Sequence, residues 1–138
     1  MTILTRQPLR LLILLICFAL PAAAVAFPPD TSIKLDPGQN GPFTPPAAGP
    51  DWYHFSLDSY QAVTLYSNRP AAAIEGIEPA GTLMNSDGEV LAEAEDNAPN
   101  EQFRIEENLP AGTYYLKVNA PMLIPRDDES SSYELFLE

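Results

Sequence analysis

Cysteine, histidine and basic residues are scarce in this chain of 138 residues, which has one cysteine, one histidine and seven lysines and arginines in all. A single cysteine, Cys17, excludes an internal disulfide and a zinc site built from several cysteines. A single histidine, His54, excludes a metal centre with several histidine ligands from the same chain. The 19 acidic residues give a net charge of −12. Nucleic acids and anionic lipid surfaces attract basic proteins, so this charge argues against both as partners, and we expect neither.

The first 26 residues have the pattern of a secretory signal peptide. Arg6 and Arg10 precede an apolar run over residues 11–20, and Ala24-Val25-Ala26 ends the segment. A short basic start, an apolar centre and small residues at a cleavage point are typical of such peptides. We therefore predict cleavage after Ala26, which makes Phe27 the first residue of a protein exported to the periplasm or the medium.

Two alternatives to cleavage and soluble export are a retained membrane anchor and lipidation at Cys17. A spanning helix needs about 20 apolar residues, roughly twice the length of this run. Lipidation needs a small residue before the cysteine, whereas Ile16 precedes it. Removal of residues 1–26 also removes two arginines, leaving five basic against 19 acidic residues and a net charge of −14. We expect the mature protein to be a soluble monomer without membrane contact.

The mature chain divides by composition at residue 51. Residues 27–50 are rich in Pro and Gly and predict an extended arm, with one short strand at 32–35, because proline disrupts helices. From residue 51 to 138, short runs with alternating apolar residues are separated by turn signals, which is typical of a β-sandwich or barrel. The expected strands cover 53–57, 63–66, a hairpin around Asn85-Ser86-Asp87-Gly88, 103–109, 113–118 and 133–137. We predict an all-β fold.

Motifs of the common catalytic sites are absent from the sequence. There is no G-x-S-x-G elbow, no H-E-x-x-H zinc motif and no glycine loop for phosphate. His54 and Ser56 fall on one strand face, but nothing in the sequence marks an orienting acid or an oxyanion hole. Pairs of carboxylates arise by chance among 19 acids. We therefore expect no enzyme, and keep a small secreted hydrolase that uses carboxylates as an alternative.

Aromatic residues at outward positions suggest a binding surface. If Tyr53 and Phe55 face the core, the period-2 alternation of a strand turns Trp52 outward, and the same parity turns Tyr66 and Tyr115 outward. Exposed aromatic rings can stack on sugars or pack against extended peptides. We predict Trp52, Tyr66 and Tyr115 as ligand-binding residues. The sequence leaves open whether they share one sheet, and whether Trp52 lies under the Pro-rich arm.

Four segments together resemble the bacterial pre-peptidase C-terminal domain family. They are an Asp-x-aromatic-x-aromatic strand at 51–55, an Asp-Gly hairpin after Leu83, the run Leu-Pro-Ala-Gly-Thr-Tyr-Tyr at 109–115, and Tyr-Glu-Leu at 133–135. The resemblance covers residues 51–138. It implies a jelly-roll-like antiparallel sandwich of about eight strands that accompanies secreted peptidases, with no peptidase in this chain.

The resemblance also suggests calcium, since relatives in collagenases bind collagen and use calcium to order the preceding linker. Family members often carry paired aspartates after the hairpin, where this chain has Asp96 and Asn97. Carboxylate and amide oxygens suit calcium, so we name Asp96 and Asn97 as candidate ligands. The expected function is an exported, non-catalytic binding or accessory module for extracellular peptide or polysaccharide. A structural or chaperone-like partner of a separately encoded peptidase is the further alternative.

Overall fold

The computed structural model describes residues 27–46, 49–69, 79–94, 102–120 and 132–138. Within these ranges the regular secondary structure consists of β-strands alone, and nine of them form two sheets. In chain order they are β1 (Ile33–Lys34), β2 (Gly38–Phe43), β3 (Asp51–Leu57), β4 (Gln61–Asn68), β5 (Ala80–Asn85), β6 (Val90–Ala94), β7 (Arg104–Leu109), β8 (Gly112–Asn119) and β9 (Tyr133–Leu137).

The two sheets pack face to face as a sandwich. Sheet A has the order β1-β3-β8-β5-β6, and sheet B has the order β2-β9-β4-β7. All pairs are antiparallel except β1 with β3. The predicted all-β sandwich is confirmed, with nine strands in the described ranges where about eight were expected.

The core lies between the sheets and follows the period-2 alternation of the strands. On β3, Tyr53, Phe55 and Leu57 are buried, while the residues between them are half-buried or exposed. On β8 the buried set is Tyr114, Leu116 and Val118. Burial of such side chains contributes about 1.5–3 kcal/mol each, which is enough to hold every strand in the register that keeps its apolar face inward.

The Pro/Gly-rich segment 27–50 contributes two strands of its own. β1 runs parallel to β3, and β2 pairs with β9 at the edge of sheet B. The side chain of Asn40 holds the turn between them: its Oδ1 accepts from the backbone N–H of Asp36 at 2.9 Å, and its Nδ2 donates to the carbonyl of Asp36 at 2.8 Å. The described part of the arm is therefore packed on the sandwich. The boundaries at residues 26 and 51 stay predictions.

The predicted hairpin connects β5 to β6. The Oδ1 atom of Asn85 accepts from the backbone N–H groups of Asp87 and Glu89, both at 3.0 Å, and Gly88 adopts a φ of +82°. That backbone conformation favours glycine because it lacks a Cβ atom. The turn ends beside the outer face of sheet A, where it borders the site described below.

Gly81 on β5 marks a close approach to β7. A Cβ atom added there would lie 2.7 Å from Cε2 of Phe103, which is 1% exposed. Phe103 is itself held by hydrogen bonds with Ser67, from its backbone N–H to Oγ at 3.0 Å and from the Ser67 N–H to its carbonyl at 3.1 Å. The ring therefore fills the space that a side chain at residue 81 would need.

Candidate binding face

Two of the three predicted aromatic residues lie together on the outer face of sheet A. Trp52 on β3 stands opposite Lys117 of β8, and Tyr115 of β8 stands opposite His54 of β3. All of these positions are half-buried, and they share the face that points away from the core. The pairing of β3 with β8 thus joins two aromatic positions that are far apart in the sequence.

Phe27 packs against both rings. Its ring centroid lies 6.1 Å from that of Trp52 at an interplanar angle of 67°, and 5.1 Å from that of Tyr115 at 72°. These edge-to-face arrangements are the ones that aromatic quadrupoles favour. Gly88 borders the same ring, since a Cβ atom there would lie 3.3 Å from carbon atoms of Phe27. We call Trp52, Tyr115 and Gly88 the aromatic cradle, and residues 27–32, which enter it, the strap.

His54 ties the other end of the strap to sheet A. The Ser32 hydroxyl and Nδ1 of His54 share a hydrogen bond of 2.8 Å, and the imidazole lies 6.2 Å from the ring of Tyr115. Ser56, the residue that shares a strand face with His54, pairs with the hydroxyl of Thr113 at 3.0 Å. The only histidine therefore acts here as an anchor for the segment that carries Phe27.

Tyr66 lies on the opposite side of the molecule, on the outer face of sheet B. Its ring is parallel to that of Phe136, with centroids 4.8 Å apart and an interplanar angle of 2°, and the guanidinium of Arg104 lies 5.4 Å from its centroid. Phe136 and Arg104 stand opposite Tyr66 on the two neighbouring strands, so they cover its two faces. The Tyr66 hydroxyl donates to Oε1 of Glu138 at 2.9 Å, and this hydrogen bond raises the pKa of the phenol. The structure thus separates Tyr66 from Trp52 and Tyr115.

A buried hydroxyl network lies directly behind Trp52, and the sequence reasoning missed it. The hydroxyls of Tyr53 and Tyr133 are 2.6 Å apart, and that of Tyr133 donates to Oδ2 of Asp51 at 2.7 Å. Burial raises the pKa of both phenols far above the ordinary tyrosine value, and the charge of Asp51 acts in the same direction. The sequence signal for this network was a tyrosine at an inward position on each of two strands, because a buried hydroxyl needs a hydrogen-bond partner. The network fixes the start of β3 and hence the position of Trp52.

Two clefts open at opposite ends of β3. One has a volume of about 320 Å³ beside the strap and includes Asp51 and Trp52 in its walls. The other has a volume of about 290 Å³, with an apolar floor that includes Phe55 and Leu137 and a rim that includes Lys34. The first cleft shares Trp52 with the cradle, so it adjoins the site described above.

The predicted calcium ligands Asp96 and Asn97 lie outside the described residues, so the calcium site stays a prediction. Among the residues that the structure does describe, no group of three or more His, Cys, Asp or Glu side chains is placed to hold a metal ion. The same part of the chain contains no helix of the length and apolarity needed to cross a membrane.

Comparison with known proteins identifies the fold. No family model and no curated protein sequence matches the chain. Among solved structures, the pre-peptidase C-terminal domain of a collagenase from Bacillus anthracis matches with a TM-score of 0.58 and 18% identity, over 80% of this chain and 97% of that one. A periplasmic inhibitor of g-type lysozyme from Aeromonas hydrophila covers 78% of this chain and 96% of its own at 15% identity, but its TM-score of 0.38 is too low for any conclusion. The resemblance read from the sequence is confirmed at the level of the fold: this chain folds as a pre-peptidase C-terminal domain does.

Proposed function

We propose that the chain is an exported, non-catalytic binding module that holds an extracellular peptide or polysaccharide at the aromatic cradle. The observation that carries this proposal is the cradle itself, where Trp52 and Tyr115 already receive an aromatic ring, that of Phe27. Aromatic side chains anchor many binding sites because they bury a large area with few rotatable bonds. A net charge of −14 after cleavage favours neutral or cationic ligands over anionic ones.

Export is the part of this proposal that a mass measurement tests. The protein isolated from the periplasm or the medium should begin at Phe27, because the small residues before it suit the cleavage site. Phe27 then becomes the terminal residue of the strap that enters the cradle. An intact Met1, or a lipid on Cys17, would contradict soluble export.

Binding is tested by comparing the exported protein with Trp52→Ala on immobilised extracellular peptides and on a glycan array. Truncation of an anchoring aromatic residue costs about 2 kcal/mol or more, so we expect affinity to fall at least about thirtyfold. Tyr66→Ala is the matched control, since it removes an outward aromatic ring from the opposite sheet. The proposal fails if the unaltered protein binds nothing in either assay, or if the two variants lose affinity equally.

A further inference from the structure

The cradle is occupied by the chain's own N-terminal segment. The Phe27 ring meets Trp52 and Tyr115 at steep angles and borders Gly88, so three separate elements surround it: β3, β8 and the turn between β5 and β6. A row of outward residues crosses the same face, with His54, Tyr115 and Met84 side by side on β3, β8 and β5. The cradle therefore accommodates one aromatic ring.

The strap that carries Phe27 is held mainly at its two ends. At one end is the ring in the cradle, and at the other is the hydrogen bond between Ser32 and His54. Pro28, Asp30 and Thr31 between them are exposed, and backbone pairing with β3 begins only at Ile33, after the strap. Release of the ring therefore leaves β1 and the sandwich in place, so Phe27 can be exchanged for another group without unfolding the domain.

The geometry of the Phe27 contacts indicates which ligands suit the cradle. Phe27 is followed by Pro28 and Pro29, whose rings restrict the backbone, and the chain bends at Phe27, Pro28 and Asp30. A sugar stacks flat on a ring face, whereas Phe27 meets both rings at 67° and 72°, as one aromatic side chain meets another. A peptide with an aromatic residue before proline reproduces these contacts.

We propose that Phe27 is a built-in, displaceable occupant of the aromatic cradle, and that the outside ligand is a peptide presenting an aromatic residue followed by proline. This inference rests on the proposed function and narrows its ligand class. It also makes the strap a competitor: the apparent affinity for an outside peptide equals the intrinsic affinity multiplied by the fraction of molecules whose cradle is free. If the strap fills nine cradles in ten, its removal strengthens binding about tenfold.

The test uses Trp52 as the reporter, because it is the only tryptophan in the chain. The exported protein and its Phe27→Ala variant are titrated with the peptide Phe-Pro-Pro-Asp-Thr, which copies residues 27–31, and with Ala-Pro-Pro-Asp-Thr. We expect the first peptide to change the emission of the variant saturably, with half-saturation at about one tenth of the concentration that the unaltered protein needs. The alanine peptide should have no effect.

Two further variants, both made in the Phe27→Ala background, locate the response. Tyr115→Ala should abolish it by removing a receiving ring, while Tyr66→Ala, on the other sheet, should leave it unchanged. If the unaltered protein and Phe27→Ala give equal titration curves, Phe27 does not compete with the peptide. If the emission of Phe27→Ala does not respond to the peptide, the cradle does not bind aromatic peptides. Either result overturns the inference, whereas the proposed function is tested separately by the peptide and glycan screens and their two variants.

Discussion

Replacing Tyr133 by phenylalanine tests the buried hydroxyl network most directly. Tyr133 and Tyr53 are 1% and 0% exposed. The Tyr133 hydroxyl donates its hydrogen to Asp51, so it accepts the one that Tyr53 donates. Phenylalanine at residue 133 therefore removes two hydrogen bonds at once and leaves Asp51 as the remaining polar neighbour of the buried Tyr53 hydroxyl.

The expected magnitudes follow from the two partners. A neutral hydrogen bond contributes about 0.5–1.5 kcal/mol, and a hydrogen bond to a charged group contributes about 1.5–3 kcal/mol. We therefore expect Tyr133→Phe to lower the free energy of unfolding by about 2–4 kcal/mol. Tyr53→Phe leaves the donation from Tyr133 to Asp51 intact, so its cost should be smaller, about 1 kcal/mol. The hydrogen bond between the two hydroxyls is lost in either single variant but can be lost only once in the double variant, so the cost of the double variant should fall below the sum of the single ones.

The assay is urea unfolding followed by Trp52 fluorescence, with the four proteins compared as a double-mutant cycle. In a domain of about a hundred residues, 1 kcal/mol corresponds to about 4 °C or more in Tm, so thermal melts provide a second reading. The reasoning is refuted if Tyr53→Phe costs as much as Tyr133→Phe, or if the two costs are additive.

Three other perturbations have outcomes that the structure or the sequence specifies. Because the folded-state pKa of both Tyr53 and Tyr133 is raised, the unfolded chain ionises first, so stability should hold up to about pH 10 and then fall by about 1.4 kcal/mol per pH unit for each of these two phenols. Tyr66, whose pKa is also raised, adds to this fall, and Tyr133→Phe should make the slope in alkaline urea titrations shallower by the share of one phenol. Gly81→Ala should cost about 1–3 kcal/mol in urea unfolding, since its Cβ would collide with the ring of Phe103. If Asp96 helps to bind calcium, excess calcium should raise Tm saturably, less so in Asp96→Ala and not at equal ionic strength of sodium chloride, whereas identical melts in both salts would exclude the site.

Much of the strand pattern was predictable because it is a local property. Tyr53, Phe55 and Leu57 alternate with polar or outward residues, and a strand turns successive side chains to opposite faces whatever it pairs with. The turn at Asn85 to Gly88 was predictable for a similar reason, since asparagine caps its own turn and glycine tolerates positive φ. The short strand β2, by contrast, carries no apolar alternation, and its pairing with β9 depends on contacts nearly a hundred residues away.

The candidate site was predictable only as a set of outward aromatic residues. Parity correctly turned Trp52, Tyr66 and Tyr115 away from the core. Parity could not show that Trp52 and Tyr115 share sheet A. Nor could it show that Tyr66 lies between Phe136 and Arg104 on sheet B. The order of strands in a sheet depends on which distant strands pair. The alternation of apolar and polar residues within one strand does not specify its partner.

The sequence by itself determined the all-β class, the acidic charge, the predicted export signal and the inward or outward direction of residues on strands with clear apolar alternation, such as β3 and β8. Each of these depends on composition or on neighbours a few positions away. Only the tertiary structure decided that Phe27 is seated between Trp52 and Tyr115, and that the hydroxyls of Tyr53 and Tyr133 meet across the core. Both arrangements join residues from distant parts of the chain. They exist because burial of the two apolar sheet faces, the dominant favourable term in folding, brings those distant strands together.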